Sequence, residues 1–275
     1  MMLLNAIHWS PDPVLLNLGP ISLRWYSLCF VIGFSVGFIY VRKLFRKDGL
    51  KDESMDKLLM YVVIATILGA RLGHVLFYDL DYYLDGRILE AILPFKFDDG
   101  IEFVGYSGLA SHGGAIALVI ALYAYSKRVI KKPIHWIFDR IAPVIAFAGG
   151  FIRLGNFMNS EIIGNPTQSN FGVIFSNVDE LPRHPAQLYE AIGYFILFYF
   201  LNKMIKNNKL EQPWNVFSIF LIALFSIRFI VEFFKKSQGG FESSLDLLTT
   251  GQWLSIPFII VGFLLLQFGK KTKTV

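Results

Sequence analysis

The sequence has one cysteine, Cys29, and it lies inside an apolar run. That excludes an internal disulfide and any CxxC metal or redox motif. Charge is also scarce: 17% of the 275 residues are Asp, Glu, Lys or Arg, against about 25% in soluble domains. The opening MMLLNAIHWSPDP lacks the basic stretch of a cleaved signal peptide, so the first apolar segment is expected to act as an uncleaved insertion signal. No Pro- or Ser-rich linker marks a boundary, and residues 1–275 read as a single polytopic domain. No internal repeat is evident, which weakens an inverted-repeat transporter reading.

What is present in excess is apolar. Hydrophobic residues make up 54% of the chain, with 27 Phe and 12 Tyr, and the mean hydropathy is +0.50. These residues fall in long runs, which identifies a bilayer as the solvent. A net charge of +5 would suggest nucleic acid in a soluble protein. Here the basic residues cluster in short loops, and no nucleic-acid partner is expected.

The runs predict seven spans, at 22–42, 58–78, 108–126, 136–158, 187–205, 214–234 and 251–269. Each is near the ~20 residues a bilayer requires. Seventeen Lys and Arg fall in the loops 42–57, 127–140 and 203–209 and in the C-terminal tail, against five in the alternate loops. The positive-inside rule then predicts an N-terminus outside and a C-terminus in the cytoplasm. The expected fold is an all-α integral membrane protein of about seven transmembrane helices with a small extracytoplasmic head. Its outer-face loops are 79–107 and 159–186. The segment DYYLDGRILEAILPFKF in the first of these reads either as a helix lying in the interface or as a solvated connector.

Four arginines sit within the spans: Arg24, Arg71, Arg153 and Arg228. Each costs about 2.5–3.5 kcal/mol near a helix centre unless compensated. Arg24 is close enough to a helix end to snorkel. Arg228 and Glu232, four residues apart, are candidates for an ion pair on one helix face. One Glu does not neutralise three cations, so an external anion is expected, and lipid phosphate suits the bidentate guanidinium. Arg153, Asn156 and Asn159 share a helical stripe, followed by Glu161 and Gly164 where the helix must end. His112, with Gly113 and Gly114, lies near the outer end of the third span. Imidazole suits general-base work near neutral pH, although a lone membrane histidine is also a common packing residue. Pro185 suits a first helical turn, and His184, Gln187, Tyr189 and Glu190 add polar groups at the same level. Tyr26 sits at the outer end of the first span. Cys29 reads as packing. An anion transporter or a lipid-binding scaffold would use the same arginines. The transporter predicts midplane groups and repeats, which the sequence does not display.

Seven segments carry a resemblance: ArgTrpTyr at 24–26, GlyAlaArgLeuGly at 69–73, SerHisGlyGly at 111–114, ArgLeuGlyAsnPheMetAsnSerGlu at 153–161, ArgHisProAlaGlnLeuTyrGlu at 183–190, ArgPheIleValGluPhePhe at 228–234 and GlyGlnTrpLeuSerIlePro at 251–257. In this order they resemble the bacterial prolipoprotein diacylglyceryl transferases over nearly the whole chain. The resemblance implies transfer of the diacylglyceryl group of phosphatidylglycerol to the lipobox cysteine thiol of a prolipoprotein. A thioether forms and glycerol phosphate leaves, as the first step of lipoprotein maturation at the bacterial inner membrane. It implies no cofactor and no metal, with membrane lipid as surroundings and an active site toward the outer leaflet. It implies catalytic roles for His112, Arg228 and Tyr26. Arg153, Asn156, Asn159, Glu161, Gly164, Glu232, Gly113 and Gly114 would bind phosphatidylglycerol, and Arg71, His184, Gln187 and Glu190 would support them, with Glu232 positioning Arg228. The chain departs from the family pattern at Ser160, usually Gly, and at Lys235, often Arg.

Overall fold

The structure, a computed structural model, describes residues 7–19, 21–93, 95–97, 100–103, 105, 108–236 and 248–272. The first six residues of the expected uncleaved leader, parts of the 79–107 and 235–250 loops and the last residues of the basic tail lie outside these. Among the described residues, seven helices are long and apolar enough to cross a membrane, as the sequence predicts. They are α1 (Trp25–Lys47), α2 (Asp52–Phe77), α5 (Ser111–Tyr125, continued by a π-helical turn to Ile130), α6 (Ile134–Met158), α7 (Ala186–Lys206), α8 (Asn215–Glu232) and α9 (Thr250–Thr272). Two short helices, α3 (Leu80–Leu84) and α4 (Ile88–Ile92), lie between α2 and α5. The chain packs as two compact units, residues 44–137 and residues 1–43 with 138–275.

In the 44–137 unit, α2 and α5 meet through small residues. A Cβ added at Gly73 would stand 2.6 Å from the Gly113 Cα, and one at Gly69 would stand 2.2 Å from the Ala117 Cβ. With no hydrophobic drive between helices in lipid, such close backbone approach supplies the van der Waals gain. Arg71 lies between these glycines in sequence and is buried. Its Nη2 donates to Glu90 O at 2.5 Å and its Nε to Ala91 O at 3.0 Å. It thereby satisfies carbonyls at the end of α4 that the helix leaves open. The Tyr83 ring lies 5.2 Å from its guanidinium carbon. The Glu90 carboxylate accepts from Phe97 N at 2.9 Å and Tyr82 OH at 3.1 Å. The 81–97 segment is therefore two helical turns and a strand rather than one helix. Gly86, at φ +82°, breaks it, because the left-handed region does not continue a right-handed helix. A two-stranded pairing of β4 (Phe95–Lys96) with β5 (Glu102–Phe103) follows.

In the other unit, Asp139 of α6 is buried and accepts from Trp214 N at 3.0 Å and Phe217 N at 2.8 Å. No local side chain caps α8, so a carboxylate from another helix satisfies its first amides and its positive end. The sequence reading has no strands, yet short ones form. β2 (Val14–Leu18) and β3 (Ile21–Arg24) make a hairpin leading into α1. β1 (Ile7–Trp9) runs parallel to β6 (Val173–Phe175), which pairs antiparallel with β7 (Pro182–Arg183). Ile163, Val173 and Phe175 are buried beneath this sheet with Trp9 and Phe157 against them, and Trp9 Nε1 donates to Phe157 O at 3.1 Å. This small apolar core holds the end of α6 and the segment after it in place.

Candidate functional site

α6 ends at Met158, where the polar residues after Arg153 predict a stop. The chain then turns sharply through Ser160 at φ +54° and Ile162 at φ +55°. These left-handed values cost non-glycine residues, β-branched Ile most of all. At Ser160 they explain why glycine suits the position. The turn folds Glu161 back on α6. Its amide donates to Asn156 O at 2.9 Å, and its carboxylate accepts from Asn156 Nδ2 at 3.1 Å and Asn159 Nδ2 at 3.2 Å. Arg153 Nη1 donates to Asn156 Oδ1 at 3.3 Å. Arg153, Asn156, Asn159 and Glu161 thus form one polar chain, with Asn159 already beyond the last helical turn. Tyr26 backs it: a Cβ at Gly155 would lie 2.8 Å from the Tyr26 ring.

α7 brings Gln187, Glu190 and Tyr194 to the same place at helical spacing. Gln187 is fully buried and its Nε2 donates to Glu161 O at 2.6 Å. The Glu190 carboxylate, with 0% side-chain exposure, is the centre of an ion network. Arg153 Nε stands 2.7 Å from its Oε2 as a close charge contact without the alignment of a hydrogen bond. Lys235 Nζ donates to its Oε1 at 2.9 Å and also lies 3.2 Å from Glu232 Oε2. A Cβ at Gly251 would fall 2.5 Å from the Glu232 Cδ, so α9 offers that carboxylate a bare backbone to lie against.

This network corrects one expectation. Glu232 pairs with Lys235, three residues on, and not with Arg228. The helix ends at Glu232, and the following turn swings the Lys235 ammonium back to it. Among the described residues, the half-buried Arg228 makes no ion pair or hydrogen bond, although it and Arg153 stand in electrostatic reach of Tyr194. Lys235, set aside in the site expectation, is buried at the heart of the network. No sequence signal singles it out, because the spans already carry more cations than carboxylates; only the turn after α8 brings its ammonium to Glu190 and Glu232.

Gly164 is at a crossing of strands. Its N donates to His184 O at 3.0 Å, its O accepts from Arg183 Nη1 at 3.1 Å, and a Cβ would fall 2.3 Å from His184 O. His184 Nδ1 is 3.2 Å from Tyr189 OH, and its ring packs on Phe234 at 5.1 Å. Asp179, which the sequence reading passed over, holds Arg183 through Nη2 at 2.5 Å and Nε at 3.0 Å, and this guanidinium keeps its carboxyl below the ordinary range.

In the 44–137 unit, His112 is exposed in the first turn of α5, with Phe77 at 5.0 Å and Tyr78 at 5.9 Å between ring centres. No carboxylate pairs with it among the described residues. Gly113 and Gly114 beside it are buried against α2, and Arg71 clasps α4. The histidine that does hold an acid is His74, whose Nε2 is 2.8 Å from Asp79 Oδ2. Gly108, at φ +72°, leaves room for that ring.

Chemically, the unit of residues 1–43 and 138–275 gathers the cations Arg153, Arg228 and Lys235 with the carboxylates Glu161, Glu190 and Glu232. Glu190 and Glu232 are ion-paired with Arg153 and Lys235, Glu161 is held by two asparagine amides, and Arg228 has no carboxylate at ion-pair distance among the described residues. Around Glu161 and Gln187, the buried oxygens Asn159 Oδ1, Ser160 Oγ and Gln187 Oε1 have no hydrogen-bond partner. Buried acceptors without donors are costly, and hydroxyl groups of a ligand would satisfy them.

A profile of prolipoprotein diacylglyceryl transferases matches residues 13–268. The chain is 45% identical over 277 residues to a Bacteroides fragilis protein named phosphatidylglycerol–prolipoprotein diacylglyceryl transferase, covering 99% of each chain. A Tolumonas auensis protein of the same name is 42% identical over 267 residues, 97% of this chain and 99% of its own length. One from Chloroherpeton thalassium is 41% identical over 265 residues, 95% and 94% of the two lengths.

Proposed function

The chain belongs to the prolipoprotein diacylglyceryl transferase family, and on that premise we propose that its residues bind phosphatidylglycerol in the outer leaflet of the bacterial inner membrane and alkylate a prolipoprotein's lipobox cysteine. It is a multi-pass transferase of lipoprotein biosynthesis. The observation that supports this assignment of residues is an Arg228 without an ion-pair partner among the described residues, beside the paired Arg153–Glu190–Lys235–Glu232 quartet.

The substrate thiol attacks the glycerol carbon that carries the phosphate. A C–S bond forms, the C–O bond to phosphate breaks, and its electron pair leaves on the phosphate oxygen. The phosphodiester carries about one negative charge and the departing monoester about two. A guanidinium free of internal carboxylates gains most as that charge grows, so Arg228 favours the transition state over the ground state. Arg153, held by Glu190 and Asn156, presents its remaining N–H groups to the same phosphate. Asn159, Glu161 and Gln187 offer acceptors to the headgroup's glycerol hydroxyls, and Tyr26 fixes the wall behind them. Gly164 shapes the backbone, while His184 and Arg71 brace their surroundings. Removal of the thiol proton, from a group of pKa near 8.5, falls to His112 on imidazole chemistry alone.

The test uses vesicles of phosphatidylglycerol and a lipobox peptide. Arg228→Lys, which keeps charge and loses the bidentate fork, is expected to lower thioether formation by at least tenfold at unchanged thermal stability. A rate within twofold of the parent would remove Arg228 from the phosphate site. An Arg228→Gln protein that still inserts and turns over normally would remove the charge argument altogether.

A further inference from the structure

One face of the α2–α5 pair, far along both helices from Arg71 and His112, carries a groove of about 680 Å³. Its α2 wall is Lys57, Met60, Tyr61, Ile64 and Ala65, the i, i+3, i+4, i+7, i+8 stripe of one helix face. The opposite wall comes from Ala121 and from the π-helical turn, where Arg128 and Val129 both face the groove. That turn is fixed: Ser126 Oγ donates to Lys132 O at 2.5 Å, and Tyr125 OH donates to Ser54 O at 2.8 Å across to α2. The two cations sit at one end, and the lining beyond them is apolar except for the Tyr61 hydroxyl. Ala65 and Ala121 leave the far end open because their side chains are short.

Lys57 and Arg128 are both exposed and make no ion pair or hydrogen bond among the described residues. The acidic neighbours do not serve them: Asp52 is held by Arg46, and Glu53 and Asp56 pair with neither. From Lys57 to Ala65 the groove runs about 12 Å, at 1.5 Å per residue. One leaflet of hydrocarbon is about 15 Å deep. Two unbalanced cations at the mouth of an apolar trough one leaflet deep have the chemistry of an anionic phospholipid site, with phosphate between the cations and an acyl chain along Met60, Ile64 and Val129.

We propose that this groove holds one anionic phospholipid, separate from the Arg153–Glu190 site and independent of the reaction. Each basic side chain near an anionic headgroup contributes about fivefold in affinity, so the pair confers roughly thirtyfold preference over a zwitterionic lipid.

Delipidated full-length protein in detergent is titrated with dioleoyl phosphatidic acid, dioleoyl phosphatidylcholine or inorganic phosphate, and bound molecules are counted by native mass spectrometry. Beyond the molecule taken by the Arg153–Arg228 site, one further phosphatidic acid is expected to bind about thirtyfold more tightly than phosphatidylcholine, with no retention of phosphate alone at this second site. Lys57→Gln with Arg128→Gln should abolish the preference of that second molecule, leave the first bound and leave thioether formation unchanged. If the double variant does not fold, the single variants should each lower the preference about fivefold. Ala121→Leu, and separately Ala65→Leu, should weaken both lipids by filling the trough. The proposal is overturned if the charge variants keep the headgroup preference. It is equally overturned if inorganic phosphate binds as tightly as the lipid, or if both filling variants leave lipid binding unaltered.

Discussion

The buried charge network separates two arginines that look alike in sequence. Glu190 has 0% side-chain exposure and cations at 2.7 and 2.9 Å, and one of these, Lys235, is shared with Glu232 at 3.2 Å. Substituting Arg153→Met turns a neutral quartet into one with a net negative charge in surroundings that solvate charge poorly. Breaking a buried pair by removing one partner costs about 3–5 kcal/mol. For a chain of this length that lowers the unfolding midpoint by on the order of ten degrees. A second change, Glu190→Gln, restores neutrality through the remaining Lys235–Glu232 pair and should recover more than half of the loss. Arg228→Met removes a cation without an internal carboxylate, so its midpoint should stay within about two degrees or rise, because a charge has been taken out of a poorly solvating place. Both arginine variants should lose thioether formation. The assay is thermal unfolding followed by tryptophan fluorescence in nanodiscs, beside turnover with phosphatidylglycerol vesicles and a lipobox peptide. Equal destabilisation by the two arginine changes, or no rescue by Glu190→Gln, would refute the network's charge balance.

Other outcomes follow from single contacts. Ser160→Gly should stabilise the protein by up to about 1 kcal/mol, since it relieves a left-handed φ, and Ser160→Val should destabilise it by at least as much in the same unfolding assay. The Asp179 carboxyl is lowered in the folded protein by Arg183. Its stabilising contribution is therefore complete above the unfolded value, near 3.9, and is lost as pH falls through the lowered folded value. Asp179→Asn should flatten that acid limb in a pH series of unfolding midpoints. Gly73→Val would drive a side chain into the Gly113 Cα at 2.6 Å and should part α2 from α5, read as an altered proteolysis pattern and a lower midpoint. His112→Ala should lower the rate most near neutral pH and less at alkaline pH, where the substrate thiol ionises unaided. A uniform loss across pH would assign His112 to packing.

Much of this arrangement was readable from residue types and spacing. Apolar runs located seven helices within about six residues at each end, because a bilayer's thickness sets their length. Arg153 and Asn156 fell on one face because helical period alone put them there. The glycines of the GlyAlaArgLeuGly and SerHisGlyGly segments prove to be helix contacts, with Gly69, Gly73 and Gly113 bringing α2 and α5 together. The strand pairings were invisible: three residues at Ile7–Trp9 find partners more than 160 positions away, and no local pattern carries that information. The 81–97 segment read either as one interfacial helix or as a connector, and the left-handed Gly86 divides it into two short helical turns.

The sequence by itself determined that this chain lives in a membrane, that it belongs to the diacylglyceryl transferases, and that arginines are its unusual residues. Those conclusions follow from composition, period and residue order, which are local properties. Only the tertiary structure decided which arginine is paid for internally. Glu232 lay four residues from Arg228 and was its natural partner on a helix, but α8 ended and Lys235 turned back to take the carboxylate. The pairing of buried charges depends on three-dimensional distance, and a turn of three residues was enough to leave Arg228 unpaired.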